Sequence, residues 1–258
     1  MTAPRDRARA ISRAVNRFRS LRDRRRRARQ FGIPYTRDRN WKTPQYLKVG
    51  KELIKLALPD DAGTAIAFKD IFVSDVYGLE ALSPPPKTII DIGAHAELFS
   101  LAARLHFPNA IIHAYEPNPI LWPHLDRHGE TRQFTSFHEA VGLDQGKAIL
   151  EFHGDTVFTR CVPSQSGEIE VTAISEAISR IANNGIVDLL KLDCEGAEWE
   201  ILKDVNAMGR VANLTMEYHL IGRESLENLL RILRNLQFQI DFVHSDGERH
   251  GLVRADRS

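Results

Sequence analysis

Four short segments carry residue types and spacings that could do chemistry. In Asp91-Ile92-Gly93-Ala94-His95-Ala96-Glu97, an acid precedes a glycine that lets the backbone turn tightly and approach a ligand. In Tyr115-Glu116-Pro117-Asn118-Pro119, Glu116 stands 25 residues after Asp91. A nucleotide-binding strand–helix–strand unit sets an acid on ribose hydroxyls at about that distance. Asn118 and Pro119 suit a helix cap and a first helical turn. The run Lys191-Leu192-Asp193-Cys194-Glu195-Gly196-Ala197-Glu198 brings three acids within six residues, which is costly unless something uses them. In Met216-Glu217-Tyr218-His219, strand alternation sends Glu217 and His219 to one side, and a histidine beside carboxylates is a candidate general base. Asp193, Glu217 and His219 could also hold a cation, but no spacing marks a metal site, and none is expected.

Other chemistries are excluded or disfavoured. The first loop holds one glycine where a pyrophosphate cradle needs Gly-x-Gly-x-x-Gly, and no Gly-x4-Gly-Lys-Ser/Thr exists. The loop suits a ribose and an amino-acid moiety better than phosphates. Cys194 lies among acids that raise its pKa, which disfavours a thiolate nucleophile. Trp122, Trp199 and the remaining histidines read as packing or surface residues.

The elements that must position these segments begin at residue 87. Apolar strand-like runs at Thr88–Ile92, Ala110–Tyr115, Phe134–Val141, Ile186–Leu192 and Val211–Tyr218 alternate with helical stripes at Leu98–His106, Pro119–His128, Ile174–Ile181, Glu198–Val205 and Ser225–Leu236. That alternation predicts βαβ units and a parallel sheet. Right-handed crossovers gather the strands' C-terminal ends on one edge, where open α/β sheets bind ligands. All four chemical segments fall at such ends. Phe238–Val243 and Gly251–Arg254 read as a closing antiparallel pair. Lys147–His153 and Glu168–Val171 read as a side hairpin around a Ser164–Gly167 turn. Upstream, Pro59–Gly63 reads as the turn of a small hairpin continuing into Ala65–Phe68, and Asp70–Leu82 as a helix ended by Pro84-Pro85-Pro86.

The 258-residue chain is globular in composition, with 43% hydrophobic and 27% charged residues, which argues against a disordered chain or a disulfide-stapled mini-protein. Two cysteines make no framework, so a reducing, cytoplasmic setting is expected. No run is long and apolar enough for a transmembrane helix, and the first residues lack the apolar stretch of a secretory signal. The net charge of +1 hides an asymmetry: residues 1–30 hold twelve arginines and two acids, and the rest carries a net −9. In this arm Ile11, Val15, Phe18 and Leu21 form one helical stripe. It reads as a solvated helix packed weakly on the body, as a helix lying on an anionic membrane surface, or as a nucleic-acid contact. The acidic body counts against nucleic acid.

Together, in this order and spacing, Thr88-Ile-Ile-Asp-Ile-Gly-Ala, Tyr115-Glu-Pro-Asn-Pro, Leu190-Lys-Leu-Asp-Cys-Glu-Gly-Ala-Glu and Met216-Glu-Tyr-His resemble the FkbM family of methyltransferases, over roughly residues 46–254. The resemblance implies an α/β, Rossmann-like class I methyltransferase fold: a seven-stranded, mostly parallel sheet with helices on both faces and its last strand antiparallel. It implies S-adenosylmethionine as cofactor and O-methylation of a hydroxyl on a sugar, glycan or small metabolite. The organisation is then a basic arm (1–30), a linker with a small hairpin and helix packing on the core (31–86) and a methyltransferase-like domain (87–258). Asp91, Gly93, Ala94 and His95 belong to the cofactor loop, Glu116 to the ribose, and Asp193 and Glu195 to the methionine part and the acceptor. Glu217 and His219 flank the acceptor, with His219 the first choice of base and Asp193 the second.

One departure bears on this reading. The family loop runs Asp-x-Gly-Ala-Asn-x-Gly, and here His95 replaces Asn and Glu97 replaces the last Gly. A carboxylate about 4 Å from the cofactor's own would cost about 4 kcal/mol at an effective dielectric of 20, about a thousandfold in affinity. The alternative function is therefore an inactive methyltransferase-fold binding module. A helix dipole, or a side chain turned away, would relieve the conflict.

Overall fold

The computed structural model describes residues 21–34, 43–152, 159–245 and 247–257. Residues 21–30 form a helix, α1, whose inner side buries Ala28 and leads into buried Phe31 and Ile33. Arg27 reaches the Val73 and Ser74 carbonyls and the Asp75 and Glu80 carboxylates, so this part of the arm is docked on the body. Of the stripe expected in the arm, only Leu21 lies within the described residues.

The small hairpin lies earlier than expected, as β1 (Tyr46–Val49) against β2 (Glu52–Lys55). The segment read as its turn instead starts a helix, α2 (Ala62–Phe68). The Asp61 carboxylate caps it by accepting from the Thr64 N–H at 2.7 Å. The single helix expected over 70–82 is a π-helical turn, Lys69–Ser74, and a 3-10 turn, Leu79–Ala81, separated by Asp75 in the left-handed region.

From there the chain runs β3 (Thr88–Ile92), α3 (Leu98–His106), β4 (Ile111–Tyr115), α4 (Trp122–Arg132), β5 (Thr135–Phe137), β6 (Ala140–Gly142), β7 (Gly146–Phe152), β8 (Thr159–Pro163), β9 (Ile169–Ala173), α5 (Ile174–Ala182), β10 (Val187–Leu192), α6 (Glu198–Ile201), α7 (Val205–Met208), β11 (Val211–His219), α8 (Leu226–Asn235), β12 (Gln239–Ser245) and β13 (His250–Asp256). Seven strands form the main sheet in the order β12-β13-β11-β10-β3-β4-β5. The pairs β11–β10, β10–β3, β3–β4 and β4–β5 are parallel, and β13 runs antiparallel between β11 and β12. This is the α/β class I methyltransferase sheet that the resemblance implies. Strand order reverses between β3 and β10, so the ends of those two strands open the crevice.

Two elements divide where one was expected. The strand read over 134–141 splits into β5, in the main sheet, and β6, in a separate sheet ordered β6-β9-β7-β8. The predicted pairing of β7 with β9 is present, and β8 lies on the other side of β7. The helix read over 198–205 breaks at Asp204, whose side chain caps α7.

Alternation along the central strands builds both cores. Ile89 and Leu189 face α2 and α3, with Phe72, Phe99 and Leu101. Ile90, Ile92, Leu190 and Leu192 face α5 and α8, with Ile178, Leu229 and Leu233. Each such side chain, fully buried, contributes roughly 1.5–3 kcal/mol. A strand interior covered on both faces holds its ends in register, and that rigidity positions the site.

Candidate active site

The crevice is set by a backbone contact. Gly93 has φ +74, and a Cβ there would lie 1.7 Å from the Asp193 carbonyl oxygen. Only glycine lets the loop after β3 pass the end of β10 this closely. Beneath the contact, Lys191 and Asp91 are register partners on neighbouring strands, both buried. The Lys191 ammonium lies 3.0 Å from Asp91 and 3.5 Å from Asp193, and it donates to the Gly93 carbonyl at 2.6 Å. Burial would lower its pKa, but Asp91 and Asp193 raise it further, so the ammonium stays charged. Ser100 of α3 donates to the second Asp91 oxygen at 2.8 Å. Asp91 is thus a buried strut under the loop.

On the β4 side, Glu116 is buried. It accepts from the His95 N–H at 2.8 Å and the Asn118 N–H at 2.9 Å, one bond to each carboxylate oxygen. Burial pushes its pKa up to about 7, partly offset by those two N–H groups. Asn118 accepts from the Ile120 N–H in a turn, and the helix expected from Pro119 begins only at Trp122, so Asn118 is not the cap of α4. Ala94 is buried, and its N–H donates to the Tyr115 carbonyl. Glu97 is fully buried, at φ +59, with Ser136 of β5 donating to its Oε1 at 2.5 Å. Burial raises its pKa to about 9, and Asp91, Asp126 and Glu116 add to the rise. The group is therefore a neutral carboxylic acid tucked into the protein. The charge repulsion expected of an ionised Glu97 does not arise.

On the β10 and β11 side, the carboxylates converge on one imidazole. His219 Nδ1 lies 3.2 Å from Glu198, and Nε2 lies 3.5 Å from Glu195 and 3.9 Å from Glu217. Burial would lower the His219 pKa, but the Glu198 hydrogen bond and the charges of Glu198, Glu195 and Asp193 push it up to about 10. The ring is held as an imidazolium at neutral pH. Burial raises Glu195 to about 7, with His219 opposing and Asp193 adding to the rise. Burial and Asp193 raise Glu217 to about 8. Asp193, Glu195 and His219 bring ligand-type atoms within 4.8 Å of one another, close enough for one cation, and the imidazolium supplies positive charge at that point. Burial and the neighbouring Glu198 and Asp193 raise the Cys194 thiol far above its usual range, so it is inert as a nucleophile.

Three contributors escape a reading of the strand ends alone. Tyr77, between the π-helical and 3-10 turns, donates its hydroxyl to Asp193 at 2.8 Å. Glu198, fully buried at the start of α6, accepts from the Cys194 N–H and pairs with His219. Ser136 supplies the partner of Glu97. Tyr77 and Ser136 lie in segments with no motif. Glu198 was visible in sequence as the third acid of its run.

The arrangement is a glycine-containing loop and the buried Glu116 on one side, and a partly exposed acidic cluster around an imidazolium on the other. The family model of the methyltransferase FkbM domain matches residues 91–240, which span all four segments. The chain belongs to the FkbM methyltransferase family. It is similar to methyltransferase sdnD of Sordaria araneosa, 26% identical over 176 residues, covering 54% of this chain and 68% of that protein. It is also similar to methyltransferase 1 of Beauveria bassiana, 23% identical over 164 residues, covering 54% and 66%. The chain thus spans about two thirds of the length of these curated relatives. Among solved structures it aligns with precorrin-6y C5,15-methyltransferase from Geobacter metallireducens at 13% identity and a TM-score of 0.45, covering 79% of this chain and 94% of that one.

As an FkbM methyltransferase, the protein uses S-adenosylmethionine, and the residues present fit it. Gly93 lets the loop after β3 lie against the end of β10, which brings Glu116 and Asp193 to opposite sides of one crevice. Glu116 keeps lone pairs beyond its two backbone bonds for ribose hydroxyls. Asp193 and Glu195 provide negative charge on the side where an ammonium and a sulfonium need it.

Proposed function

We propose that this FkbM methyltransferase methylates a hydroxyl oxygen of a small molecule, sugar or glycan. The observation that carries the reading is Glu195, raised to about 7 beside Asp193 and the His219 imidazolium at the crevice. A proton acceptor works best with a pKa near the operating pH. The cofactor, when bound, supplies an electrophilic methyl group. The chain's own residues do the rest. Asp193, held by Tyr77 and Lys191, orients the acceptor hydroxyl. Glu195 takes up the hydroxyl proton as the oxygen forms its new bond to carbon. The His219 imidazolium, fixed by Glu198, orients Glu195 and offsets negative charge at the acceptor oxygen. Above a pH of about 10 the neutral ring could itself accept a proton, but at neutral pH that role passes to the carboxylate. Lining acids disfavour a polyphosphate backbone as substrate. The test is transfer of an isotope-labelled methyl group to a panel of hydroxylated small molecules and glycans. Oxygen-linked label, abolished in Asp193→Asn and reduced in Glu195→Gln, is expected. Label on nitrogen, sulfur or carbon would contradict the reading.

The arm supports an anionic membrane surface as a second partner. Arg22, Arg25 and Arg29 are exposed on one face of α1, at i, i+3 and i+7, while Arg26 pairs with Glu80 of the body and Ala28 is buried. Co-sedimentation with vesicles containing anionic lipid, lost when Arg22, Arg25 and Arg29 become Glu, is expected. Equal binding to neutral vesicles would contradict it. Among the described residues, no helix is long and apolar enough to cross a membrane.

A further inference from the structure

Glu97 occupies the loop position where the family has glycine, and the geometry around it gives the substitution a purpose. The residue sits at φ +59, where glycine is at ease and a side chain is strained. Its N–H donates to the Ala94 carbonyl at 2.7 Å, closing the cofactor loop, and its carbonyl accepts from the Leu101 N–H at 2.8 Å, opening α3. The side chain is fully buried, runs to β5 and receives the Ser136 hydroxyl on Oε1. Among the described residues, Oε2 has no hydrogen-bond partner. An anionic Oε2 would be a bare buried charge, whereas a protonated one is a buried donor. We propose that Glu97 is a positioning residue that works as an uncharged acid: it ties the cofactor loop and the start of α3 to β5, and its ionisation releases the loop and the cofactor.

Burial and three neighbouring acids favour the uncharged form and outweigh the Ser136 hydroxyl, whose hydrogen bond favours the anion. Asp91 faces it from β3, Glu116 from the end of β4 and Asp126 from α4, all acidic. Asp91 is itself paired with Lys191, and Asp126 with the His138 ring. The N-terminal end of α3 would favour an anion, but burial is the dominant influence and wins. The release is set for pH values around 9.

The inference rests on the loop being the cofactor site, so its test has one arm that needs no cofactor. The first arm is calorimetric binding of S-adenosylhomocysteine to the full chain, natural and Glu97→Gln, from pH 7 to 10. Glutamine keeps an acceptor and a donor and cannot ionise. At pH 7 the two chains are expected to bind within about threefold of each other. By pH 10 the natural chain is expected to lose about tenfold, following the fraction still protonated, while Glu97→Gln holds. Ser136→Ala is expected to weaken binding at pH 7 by cutting the tie. The second arm is thermal unfolding without cofactor. The folded chain keeps a proton that the unfolded chain releases above pH 4.5, so stability from this group falls as pH rises from 4.5 to about 9. The glutamine variant is therefore expected to gain in midpoint relative to the natural chain as pH rises from 5 to 8, by about 8–15 °C.

Parallel loss of binding in both chains, or midpoints that respond equally to pH, would overturn the proposal. Absence of binding by both chains at every pH, with the glutamine-specific gain present, would overturn the cofactor assignment of the loop and leave the uncharged tie supported.

Discussion

The β3–β4 side of the crevice, proposed for the cofactor, and the β10–β11 side, proposed for the acceptor, hold similar acids in different states. On the first side, Glu116 gives each oxygen to a backbone N–H, Asp91 is braced by Lys191 and Ser100, and Glu97 is buried as a neutral acid. On the second, Asp193, Glu195 and Glu217 are each about a quarter to a third exposed and share one imidazolium. The first side has its hydrogen bonds in place before any ligand arrives, so it costs little reorganisation to bind one. On the second, burial, with the neighbouring acids adding to it, raises Glu195 and Glu217 into the range where protons move at neutral pH.

That contrast can be broken at the point where the two sides meet. Gly93→Ala would drive a Cβ into the Asp193 carbonyl, where the obstacle is backbone and cannot step aside. A loss of about 4 kcal/mol in unfolding free energy is expected, from overpacking and left-handed strain together, measured by denaturant titration. A loss below about 1 kcal/mol would mean the two strand ends are free to part.

On the cofactor side, Glu97→Gln should stabilise the protein. Holding a proton at pH 7 on a group that ionises near 4.5 when unfolded costs about 3 kcal/mol, and glutamine removes that cost. The gain should vanish near pH 4.5. An equal effect at both pH values would show that shape rather than charge is responsible.

On the acceptor side, Glu195→Gln should slow transfer to an identified acceptor about a hundredfold, or about 2.7 kcal/mol in barrier. In the natural chain the rate should rise with pH through about 7 as Glu195 ionises and fall near 10 as His219 loses its proton. The variant should lose the lower limb alone. A profile unchanged in shape would remove Glu195 as the proton acceptor. The smallest effect is expected far from both sides: Asp61→Ala removes the α2 cap and should cost about 1 kcal/mol without changing cofactor affinity.

Legibility in the sequence follows the same division. The strand–helix alternation after residue 87 is readable because central strands covered on both faces must be almost wholly apolar, as Ile89–Ile92 and Leu189–Leu192 are apart from the mutually paired Asp91 and Lys191. The loop residues are readable because Gly93 and Glu116 act through backbone geometry and spacing. Local competition hides other parts. Ala65–Phe68 is apolar enough for a strand, and the cap at Asp61 decides for helix. Asp75 breaks one apolar helical stripe into two turns and so delivers Tyr77 to Asp193, a contact across 116 positions with no local signal. Charge states are hidden most. The burial of Glu97 and the pairing of His219 with Glu198 depend on neighbours brought in from β5 and α6, so neither protonation state can be read from the residues alone.

The most direct test of the account is calorimetric titration of S-adenosylmethionine into the full chain at pH 7.5, beside Glu97→Gly. The account predicts single-site binding in the micromolar range by the natural chain, and no tighter binding by the glycine variant, because Glu97 supports the loop instead of filling the cofactor's place. Failure of the natural chain to bind, with binding restored by glycine, would contradict it.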